Sequence, residues 1–226
     1  MTIVYCANRK LYPQLPTTIN SLLQNNSNIE KIYLLIEDDS ISYINNPKIE
    51  FINCNNFNFL IREEMFCTRR FPYMATVRCF LGSILKENKI IYLDVDTLVD
   101  GSLEELWNLD ISNKCIAGRY EAGDYINSGV LLMNLNLIRS LKYEDKIKNL
   151  LENCKFQFPD QDALNVVFKM YKRQIPKKFN ILGTKEPQEE KEIIVRHFAG
   201  LRKPWQGEME LESDIELYNK YKVEKI

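Results

Sequence analysis

The sequence predicts an α/β fold in which helices flank a mostly parallel central sheet. Short runs rich in β-branched and aromatic residues alternate with segments whose apolar residues recur at helical spacing. Strands separated by helices in this order favour helices packed on a parallel sheet. At 226 residues and 45% hydrophobic content, the chain can bury a sizeable core, so we expect one elaborated domain or one domain with a small appendage.

The strand and helix signals follow one another along the whole chain. Strand-like runs lie at 2–7, 31–39, 48–54, from 90 onward, and at 114–120, 125–135 and 192–200. Helical patterns lie at 17–25 after Pro13 and Pro16, at 71–88, at 101–110 with Ser102 and Glu105 as a candidate capping box, and at 145–154 and 160–170. The polar stretch 183–192 is predicted to be a solvent-facing loop.

The composition argues against several classes of function. The 30 basic and 31 acidic residues give a formal net charge of −1, so no general attraction to nucleic acid or to an anionic membrane is expected. The six cysteines form no CxxC pair, which favours buried free thiols over a zinc site or a disulfide framework. We find neither a signal peptide nor the roughly 20 apolar residues of a membrane helix, so we expect a cytoplasmic protein without a membrane span.

Two carboxylates stand two positions apart in the stretch IIYLDVDTLVDG, residues 90–101. If the strand continues through them, Asp94 and Asp96 point to the same face. Two carboxylates about 4 Å apart repel by roughly 4 kcal/mol at an effective dielectric constant near 20, which favours a hard divalent cation between them, Mn²⁺ or Mg²⁺. The alternative is a pair of turn or cap residues, since Asp is common where strands end.

The single histidine of the chain is a further candidate metal ligand. His197 ends an apolar run and is followed by Gly200 and Lys203. We expect it at the C-terminal edge of the sheet, where open α/β sheets usually bind their ligands. Imidazole together with carboxylates suits Mn²⁺ better than Mg²⁺, and Lys203 can neutralise a phosphate. The alternative is a structural histidine at the end of a strand.

Five motifs in order resemble those of family 8 glycosyltransferases, which include bacterial lipopolysaccharide glucosyl- and galactosyltransferases and glycogenin. They are FPYMATVRCFLGSIL, KIIYLDVDTLV, DYINSGVLLMNL, PDQDALN and HFAGLRKPW. The resemblance implies a GT-A fold with a Rossmann-like nucleotide-binding half, a UDP-sugar donor carrying glucose or galactose, Mn²⁺, and transfer with retention at the anomeric carbon. It extends over about residues 1–205, so we divide the chain into a glycosyltransferase domain, 1–205, and a short C-terminal extension, 206–226.

The resemblance also assigns roles to individual residues. It makes Asp94, Asp96 and His197 the metal ligands and places Asp160, Gln161 and Asn127 at the transferred sugar as the catalytic set, with no established nucleophile among them. The residues that it implies for donor binding are Cys6, Ala7, Asn8, Arg78, Asp94, Val95, Asn127, Gly200 and Lys203.

Each of these assignments has a structural alternative. Arg78 is also consistent with a surface-facing side chain on a helix, and Asn127 with Gly129 with a turn or bulge before a strand. One acidic residue of PDQDALN, Asp160 or Asp162, is expected to cap the helix that starts there.

The sequence departs from the family pattern in two respects. Asn8 stands where members commonly place an aspartate that binds uracil, and an amide can pair with uracil or, flipped, with cytosine. The segments before Asn127 and between Gln161 and His197 are shorter than in typical members. Because those segments shape the acceptor side, the acceptor stays open among a glycan, a lipid-linked glycan and a protein.

Two other functions are consistent with parts of the sequence. A phosphatase of the haloacid dehalogenase type also carries an apolar run followed by DxD, with Asp94 as nucleophile and Asp96 as general acid; such enzymes usually carry this motif on their first strand, and here strand signals precede it. The other is a non-catalytic domain that binds sugar nucleotides. The intact set of Asp94, Asp96, Gln161, His197 and Lys203 argues against it.

Overall fold

The computed structural model describes residues 1–41, 43–58, 60, 72–182, 192–207 and 209–226. Within these ranges the strands are β1 (Thr2–Ala7), β2 (Lys31–Ile36), β3 (Ile49–Asn53), β4 (Lys89–Leu93), β5 (Thr97–Val99), β6 (Ile116–Ala122), β7 (Tyr125–Asn134), β8 (Lys172–Gln174), β9 (Ile181–Leu182) and β10 (Val195–His197). The helices are α1 (Leu15–Asn25), α2 (Met74–Val77), α3 (Leu81–Ile84), α4 (Glu104–Trp107), α5 (Leu135–Ser140), α6 (Tyr143–Asn153), α7 (Pro159–Val167) and α8 (Glu212–Tyr221).

The central sheet has seven strands in the order β3-β2-β1-β4-β7-β6-β8. The pairs β1–β2, β2–β3, β1–β4 and β6–β8 are parallel, whereas β7 runs antiparallel to β4 and to β6. The predicted α/β class with a mostly parallel sheet is therefore confirmed. Because β1 and β4 are parallel, the residues that follow Ala7 and Leu93 lie at the same edge of the sheet.

Alternate residues of the strands enter two separate apolar layers. Ile3 and Tyr5 of β1 belong to one core, and Val4 between them belongs to the other. This is the period of two expected of a strand that is covered on both faces. Helices pack on both faces: α1 and α4 contribute to the layer with Ile3 and Tyr5, and α2, α3, α5, α6 and α7 to the layer with Val4. The sheet therefore lies between two layers of helices, of which α5 was not predicted from the sequence.

A second sheet of three strands, in the order β5-β10-β9, carries His197. β10 is antiparallel to β5, with His197 opposite Thr97, and parallel to β9. The expectation that His197 lies at the edge of the main sheet is thus wrong in detail. The small sheet nevertheless brings it beside Asp96, because Thr97 is the next residue in the chain.

Several predicted elements differ in their bounds. The segment predicted as one helix over 71–88 is broken into α2, a 3₁₀ turn at Arg78–Phe80 and α3, because Phe80 leaves the helical region at φ −117° and ψ 16°. The strand signals at 31–39 and 192–200 shorten to β2 and β10. The short strands β8 and β9 were not predicted, since two or three residues carry no recognisable alternation.

The capping interactions differ from the predicted ones in two places. The cap of α4 is Leu103, without a side-chain hydrogen bond, and Ser102 Oγ accepts from the Glu104 amide at 3.2 Å. The capping box of Ser102 with Glu105 is therefore wrong. At α7 the cap is Phe158, without a side-chain cap hydrogen bond, so no acidic residue of PDQDALN occupies the cap position; Asp162 Oδ2 instead accepts from the Phe158 amide at 2.8 Å.

The C-terminal residues pack against the rest of the chain. Asp214 on α8 forms a bidentate salt bridge with Arg196 of β10. Arg196 Nε and Nη2 donate to the two carboxylate oxygens at 2.7 and 2.9 Å, and both side chains are buried. Tyr218 and Tyr221 join a small apolar cluster with Leu98 and Phe198. The helix that follows residue 205 thus anchors the strand that carries His197.

Some predictions fall on residues outside the described ranges. They are the loop prediction for 183–191, the free-thiol prediction for Cys67 and the helical prediction for Phe71. The other five cysteines carry free thiols; Cys6, Cys54, Cys79 and Cys115 are buried, as predicted, whereas Cys154 is half-buried. None of the helices in the described ranges combines the length and the apolar character that crossing a bilayer requires.

Candidate active site

Asp94, Asp96 and His197 converge at the end of β4. One ligand atom from each of the three residues lies within 4.8 Å of the others. His197 Nε2 is 3.4 Å from Asp96 Oδ1 and 3.8 Å from Asp94 Oδ2. The strand ends at Leu93, so the two aspartates meet through a turn, in which the Thr97 amide donates to the Asp94 carbonyl at 3.1 Å. The convergence is confirmed, but strand alternation is not its cause.

Backbone hydrogen bonds from two directions hold this turn in place. The Asp94 amide donates to the Gly129 carbonyl of β7 at 2.8 Å, and the Phe198 amide donates to the Asp96 carbonyl at 2.9 Å. Gly129 also makes room for the histidine, because a Cβ atom there would lie 2.1 Å from His197 Cε1. Close approach of β7 to the imidazole ring therefore requires glycine at this position.

Arg78 is buried between two carboxylates instead of facing solvent. Its guanidinium contacts Asp94 twice, Nη2 to Oδ1 at 2.8 Å and Nη1 to Oδ2 at 3.1 Å, and its Nε lies 3.2 Å from Asp160 Oδ2. It also donates to the Ser128 carbonyl at 2.9 Å and lies over the ring of Tyr92, 4.6 Å from its centroid. The surface-facing alternative is thus excluded, and the break in the predicted helix directs this side chain inward.

Asp160 and Gln161 lie in the first turn of α7, buried against β7. Gln161 Oε1 accepts from the Ser128 amide at 2.8 Å, and Asp160 Oδ2 accepts from Ser128 Oγ at 3.0 Å. Burial raises the pKa of Asp160, and the Arg78 guanidinium opposes that rise. With its oxygen engaged by the strand, Gln161 uses its amide nitrogen as a hydrogen-bond donor, and the Tyr125 hydroxyl is one of its partners.

Lys203 reaches the carboxylate of Asp96. Its ammonium group contacts Asp96 Oδ2 and donates to the Phe198 carbonyl at 2.7 Å. Burial by itself would raise the pKa of Asp96, but His197 and Lys203 together hold it below its usual range. Gly200, at φ +106°, provides the left-handed turn between His197 and Lys203 that returns the lysine to the site.

The remaining predicted donor-binding residues lie at the ends of β1 and β4: Cys6 and Ala7 end β1, Asn8 follows it, and Val95 follows β4. Cys6, Ala7 and Val95 are buried. Because the side chains of Ala7 and Val95 are apolar, these two residues can offer a ligand mainly their backbone groups. Burial raises the pKa of the Cys6 thiol. Asn8 is half-buried, and its Oδ1 accepts from the Leu11 amide at 3.2 Å as the cap of a 3₁₀ helix at Arg9–Gln14. Asn8 therefore presents an NH₂ group as its free donor.

Three residues of this site were not singled out from the sequence. Asn180, fully buried, contacts His197 Nδ1 through its Oδ1 at 3.0 Å and donates to Asn127 Oδ1 at 2.9 Å. Ser128 links Arg78, Asp160 and Gln161, and Tyr92 donates to Asp94 Oδ1 at 2.7 Å. Ser128 is adjacent to Asn127, and Tyr92 stands two positions before Asp94, but Asn180 lies in a segment without any motif that we recognised.

The three converging side chains fit a divalent cation. Two carboxylates and one imidazole are a donor set that suits Mn²⁺. The ligand atoms are close enough to share one ion, and the small sheet, Gly129 and Arg78 fix them from outside. Lys203 lies on the Asp96 side, where it partly balances the carboxylate charge in the metal-free protein.

Comparison with known proteins assigns the class. The model of glycosyl transferase family 8 matches residues 2–208, so this chain belongs to that family. The expected enzyme class, a glycosyltransferase, and the GT-A fold are thereby confirmed. The haloacid dehalogenase and non-catalytic alternatives are not favoured.

Individual relatives agree with this assignment. A candidate glycosyltransferase of Haemophilus influenzae is 28% identical over 253 residues, which cover 91% of this chain and 73% of that protein. The glycosyltransferase GlyE of Streptococcus pneumoniae is 29% identical over 182 residues, which cover 74% of this chain but 44% of GlyE. The chain therefore spans less than half the length of some curated relatives that it matches.

The solved structures show the same fold. The galactosyltransferase LgtC, crystallised with donor and acceptor sugar analogs, superposes with a TM-score of 0.74 at 22% identity, over 99% of this chain and 97% of LgtC. GlyE superposes with a TM-score of 0.77 at 23% identity, over 97% of this chain and 59% of the GlyE chain. Such low identities show the fold alone.

Proposed function

We propose that this chain is a retaining hexosyltransferase that transfers glucose or galactose from a UDP-sugar to a glycan or protein acceptor and depends on Mn²⁺. The observation that carries the proposal is the convergence of Asp94, Asp96 and His197 within 4.8 Å at the carboxyl end of β4. Ligands of open α/β sheets bind at this edge. LgtC, which shares the fold, was solved with donor and acceptor sugar analogs.

The cation and the basic side chains would act on the donor diphosphate. Asp94, Asp96 and His197 would hold Mn²⁺, with Mg²⁺ as the alternative. When bound, the cation supplies Lewis-acid stabilisation of the negative charge that develops on the leaving diphosphate. Lys203, already at the Asp96 carboxylate, would move to the phosphate oxygens, and the backbone at Gly200 would contact the same group.

The side chains of Asp160, Gln161 and Asn127, on α7 and β7, would position the sugar. Asp160, Gln161 and Asn127 are buried and are joined to one strand, β7, by hydrogen bonds or by chain continuity. In this arrangement they are pre-organised, so that positioning and charge stabilisation supply most of the catalysis. The NH₂ group of Gln161 has two N–H bonds. One donates to the Tyr125 hydroxyl, and the other would contact the transferred sugar.

The base of the nucleotide is a separate question. Asn8 would lie beside it, and the oxygen of Asn8 is shared with the Leu11 amide. Its free NH₂ group suits a carbonyl oxygen, which uracil and cytosine both have. Uracil selectivity would therefore come in part from other groups, including the backbone at Ala7 and Val95.

The proposal is tested by incubating the protein with a panel of nucleotide sugars and following donor hydrolysis by mass spectrometry. We expect slow release of UDP from UDP-glucose or UDP-galactose with Mn²⁺, and none with EDTA. Asp96→Asn should abolish the Mn²⁺-dependent release, whereas the surface variant Asp110→Asn should not change it. Release of phosphate from a generic phosphomonoester, without turnover of any nucleotide sugar, would instead establish the phosphatase alternative.

A further inference from the structure

A chain of buried hydrogen bonds leads from the backbone of β7 to the imidazole of His197. The Gly129 amide donates to Asn127 Oδ1 at 3.0 Å. Asn180 Nδ2 donates to the same oxygen at 2.9 Å, and Asn180 Oδ1 faces His197 Nδ1 at 3.0 Å. All four residues are buried, so water does not compete for these groups.

The orientation of the Asn127 side-chain amide is determined by two neighbours, one of which can only donate a hydrogen bond and the other only accept one. A backbone N–H can only donate, so the atom of Asn127 that faces Gly129 is the oxygen. A carboxylate can only accept, and Glu121 Oε1 lies 2.7 Å from the nitrogen of Asn127. Both contacts give the same orientation for Asn127.

That orientation propagates to the histidine. Because Asn127 presents its oxygen, Asn180 must present its NH₂ group to Asn127 and its oxygen to the ring. An oxygen acceptor at Nδ1 requires that Nδ1 carry a proton. The lone pair of the neutral ring is then on Nε2, the nitrogen 3.4 Å from Asp96 Oδ1 and 3.8 Å from Asp94 Oδ2.

We infer that Asn180 is a positioning residue, which transmits the orientation of Asn127 to His197 and keeps the imidazole in the tautomer whose Nε2 can ligate a divalent cation. The inference rests on the proposed metal site for its functional meaning. Hydrogen bonds to the second nitrogen of a metal-binding histidine fix its tautomer and ring orientation. The backbone of Gly129 contacts both groups of residues: its carbonyl accepts from the Asp94 amide, and its amide donates the first hydrogen bond of the series that ends at His197.

The single histidine of the chain makes the tautomer directly measurable. In protein labelled with ¹⁵N-histidine and carrying no histidine tag, two-bond ¹⁵N–¹H spectra at alkaline pH report one ring. We expect a protonated Nδ1 and an unprotonated Nε2. Asn180→Asp loses the hydrogen bond to Asn127 Oδ1 but keeps an oxygen acceptor for Nδ1, so it should retain this pattern, and Asn180→Ala should give a mixture of tautomers. A wild-type ring protonated at Nε2, or an Asn180→Ala spectrum like the wild type, would overturn the inference.

Metal affinity provides the second readout, measured for Mn²⁺ alone by electron paramagnetic resonance or calorimetry. Asn180→Ala should weaken Mn²⁺ binding about 10- to 100-fold, as is usual for outer-shell partners, and Asn180→Asp should weaken it less. The matched control is Asn26→Ala, which removes a buried asparagine that accepts from Leu103 and donates to Leu22 and Gly101. It should lower thermal stability without changing the tautomer or the affinity.

The outcomes separate this inference from the proposed function. If the wild-type protein binds Mn²⁺ and Asn180→Ala binds it equally well, the positioning role is wrong and the metal site stands. If the wild-type protein shows the expected tautomer but binds no Mn²⁺, the metal-dependent function is wrong, and control of the ring by Asn180 is still supported. Thermal unfolding of each variant identifies loss of fold. If Asn180→Ala does not fold, the tautomer of Asn180→Asp is the test, and loss of the proton from Nδ1 in that variant would contradict the inference.

Discussion

Arg78 and Asp94 form a two-pronged ion pair, with nitrogen–oxygen distances of 2.8 and 3.1 Å, beneath the candidate metal site. The pair lies where β4 ends, and Arg78 Nε also contacts the Asp160 carboxylate on α7, at 3.2 Å. A planar guanidinium with several donors can bridge two carboxylates in this way, whereas a lysine ammonium cannot match the paired geometry. Arg78, which is not a candidate metal ligand, therefore neutralises part of the negative charge of Asp94 and Asp160.

Removal of this guanidinium should destabilise the fold as well as the site. Arg78→Ala leaves Asp94 and Asp160 without their buried counter-charge, and breaking a buried pair on one side typically costs about 3–5 kcal/mol. We expect a decrease of that order in the free energy of unfolding, measured with urea on the metal-free protein. Arg9→Ala, which removes an exposed ion pair with Asp38, is the control and should unfold at the wild-type urea concentration. Equal midpoints for both variants would contradict the bridging role of Arg78.

Mn²⁺ should stabilise the folded protein through the same three ligands. A ligand that binds only the native state adds about 2.7 kcal/mol at a concentration 100 times its Kd. We therefore expect Tm to rise with Mn²⁺ concentration in the wild type and not in Asp96→Asn. EDTA should return the wild-type Tm to the metal-free value. A rise of equal size in Asp96→Asn would show that the ion binds elsewhere.

The lack of a side chain at position 129 should be required for metal binding. In Gly129→Ala the new Cβ would lie 2.1 Å from His197 Cε1, so the ring must move. Displacement of one ligand should weaken Mn²⁺ binding at least tenfold, an estimate of the order found for changes around metal-bound histidines. The control is Gly123→Ala, at φ +58° with nothing within 4 Å of the added atom. It should cost about 1 kcal/mol of stability through backbone strain and leave the affinity unchanged.

The ion pair between Arg196 and Asp214 should determine how firmly α8 holds β10. Both side chains are about 5% exposed, so Asp214→Ala leaves a buried guanidinium unpaired, at a cost of about 3–5 kcal/mol. The double variant Arg196→Met/Asp214→Leu should recover most of that loss, because an apolar pair needs no compensation. Chemical unfolding of the three proteins measures both effects. A double variant as unstable as Asp214→Ala would mean that the pair contributes more than mutual neutralisation.

Asn8 offers a test of base selectivity. Asn8→Asp keeps an oxygen for the Leu11 amide and presents a second, charged acceptor to uracil N3–H. A hydrogen bond to a charged group contributes about 1.5–3 kcal/mol, so discrimination of UDP against CDP should rise about tenfold or more. Competition binding of the two nucleotides measures the ratio. An unchanged ratio would place Asn8 away from the base.

The periodicity of the chain predicted most of the fold, and the motifs predicted most of the site. β1, β2, β3, β4, β6 and β7 were expected from apolar runs, and α1, α6 and α7 from helical spacing, because these patterns are local and repeat within each element. Asp94, Asp96 and His197 were expected to meet, and they do. The strands β8 and β9 could not be predicted from local pattern, because they are defined by their pairing with β6 and β10.

Tertiary structure alone decided how the site is organised. Arg78 lies where the predicted helix is broken, and its inward side chain contacts Asp94, Asp160 and Ser128, which are distant from it in the chain. Asn180 became part of the site only because β9 pairs with β10 and brings it to His197. By itself, the sequence determined which side chains are chemically suited to a divalent cation, Asp94, Asp96 and His197, while the donor-binding residues were implied by the family resemblance and stay a prediction. Which nitrogen of His197 faces the carboxylates depends on contacts between residues distant in the chain, and those exist only after folding.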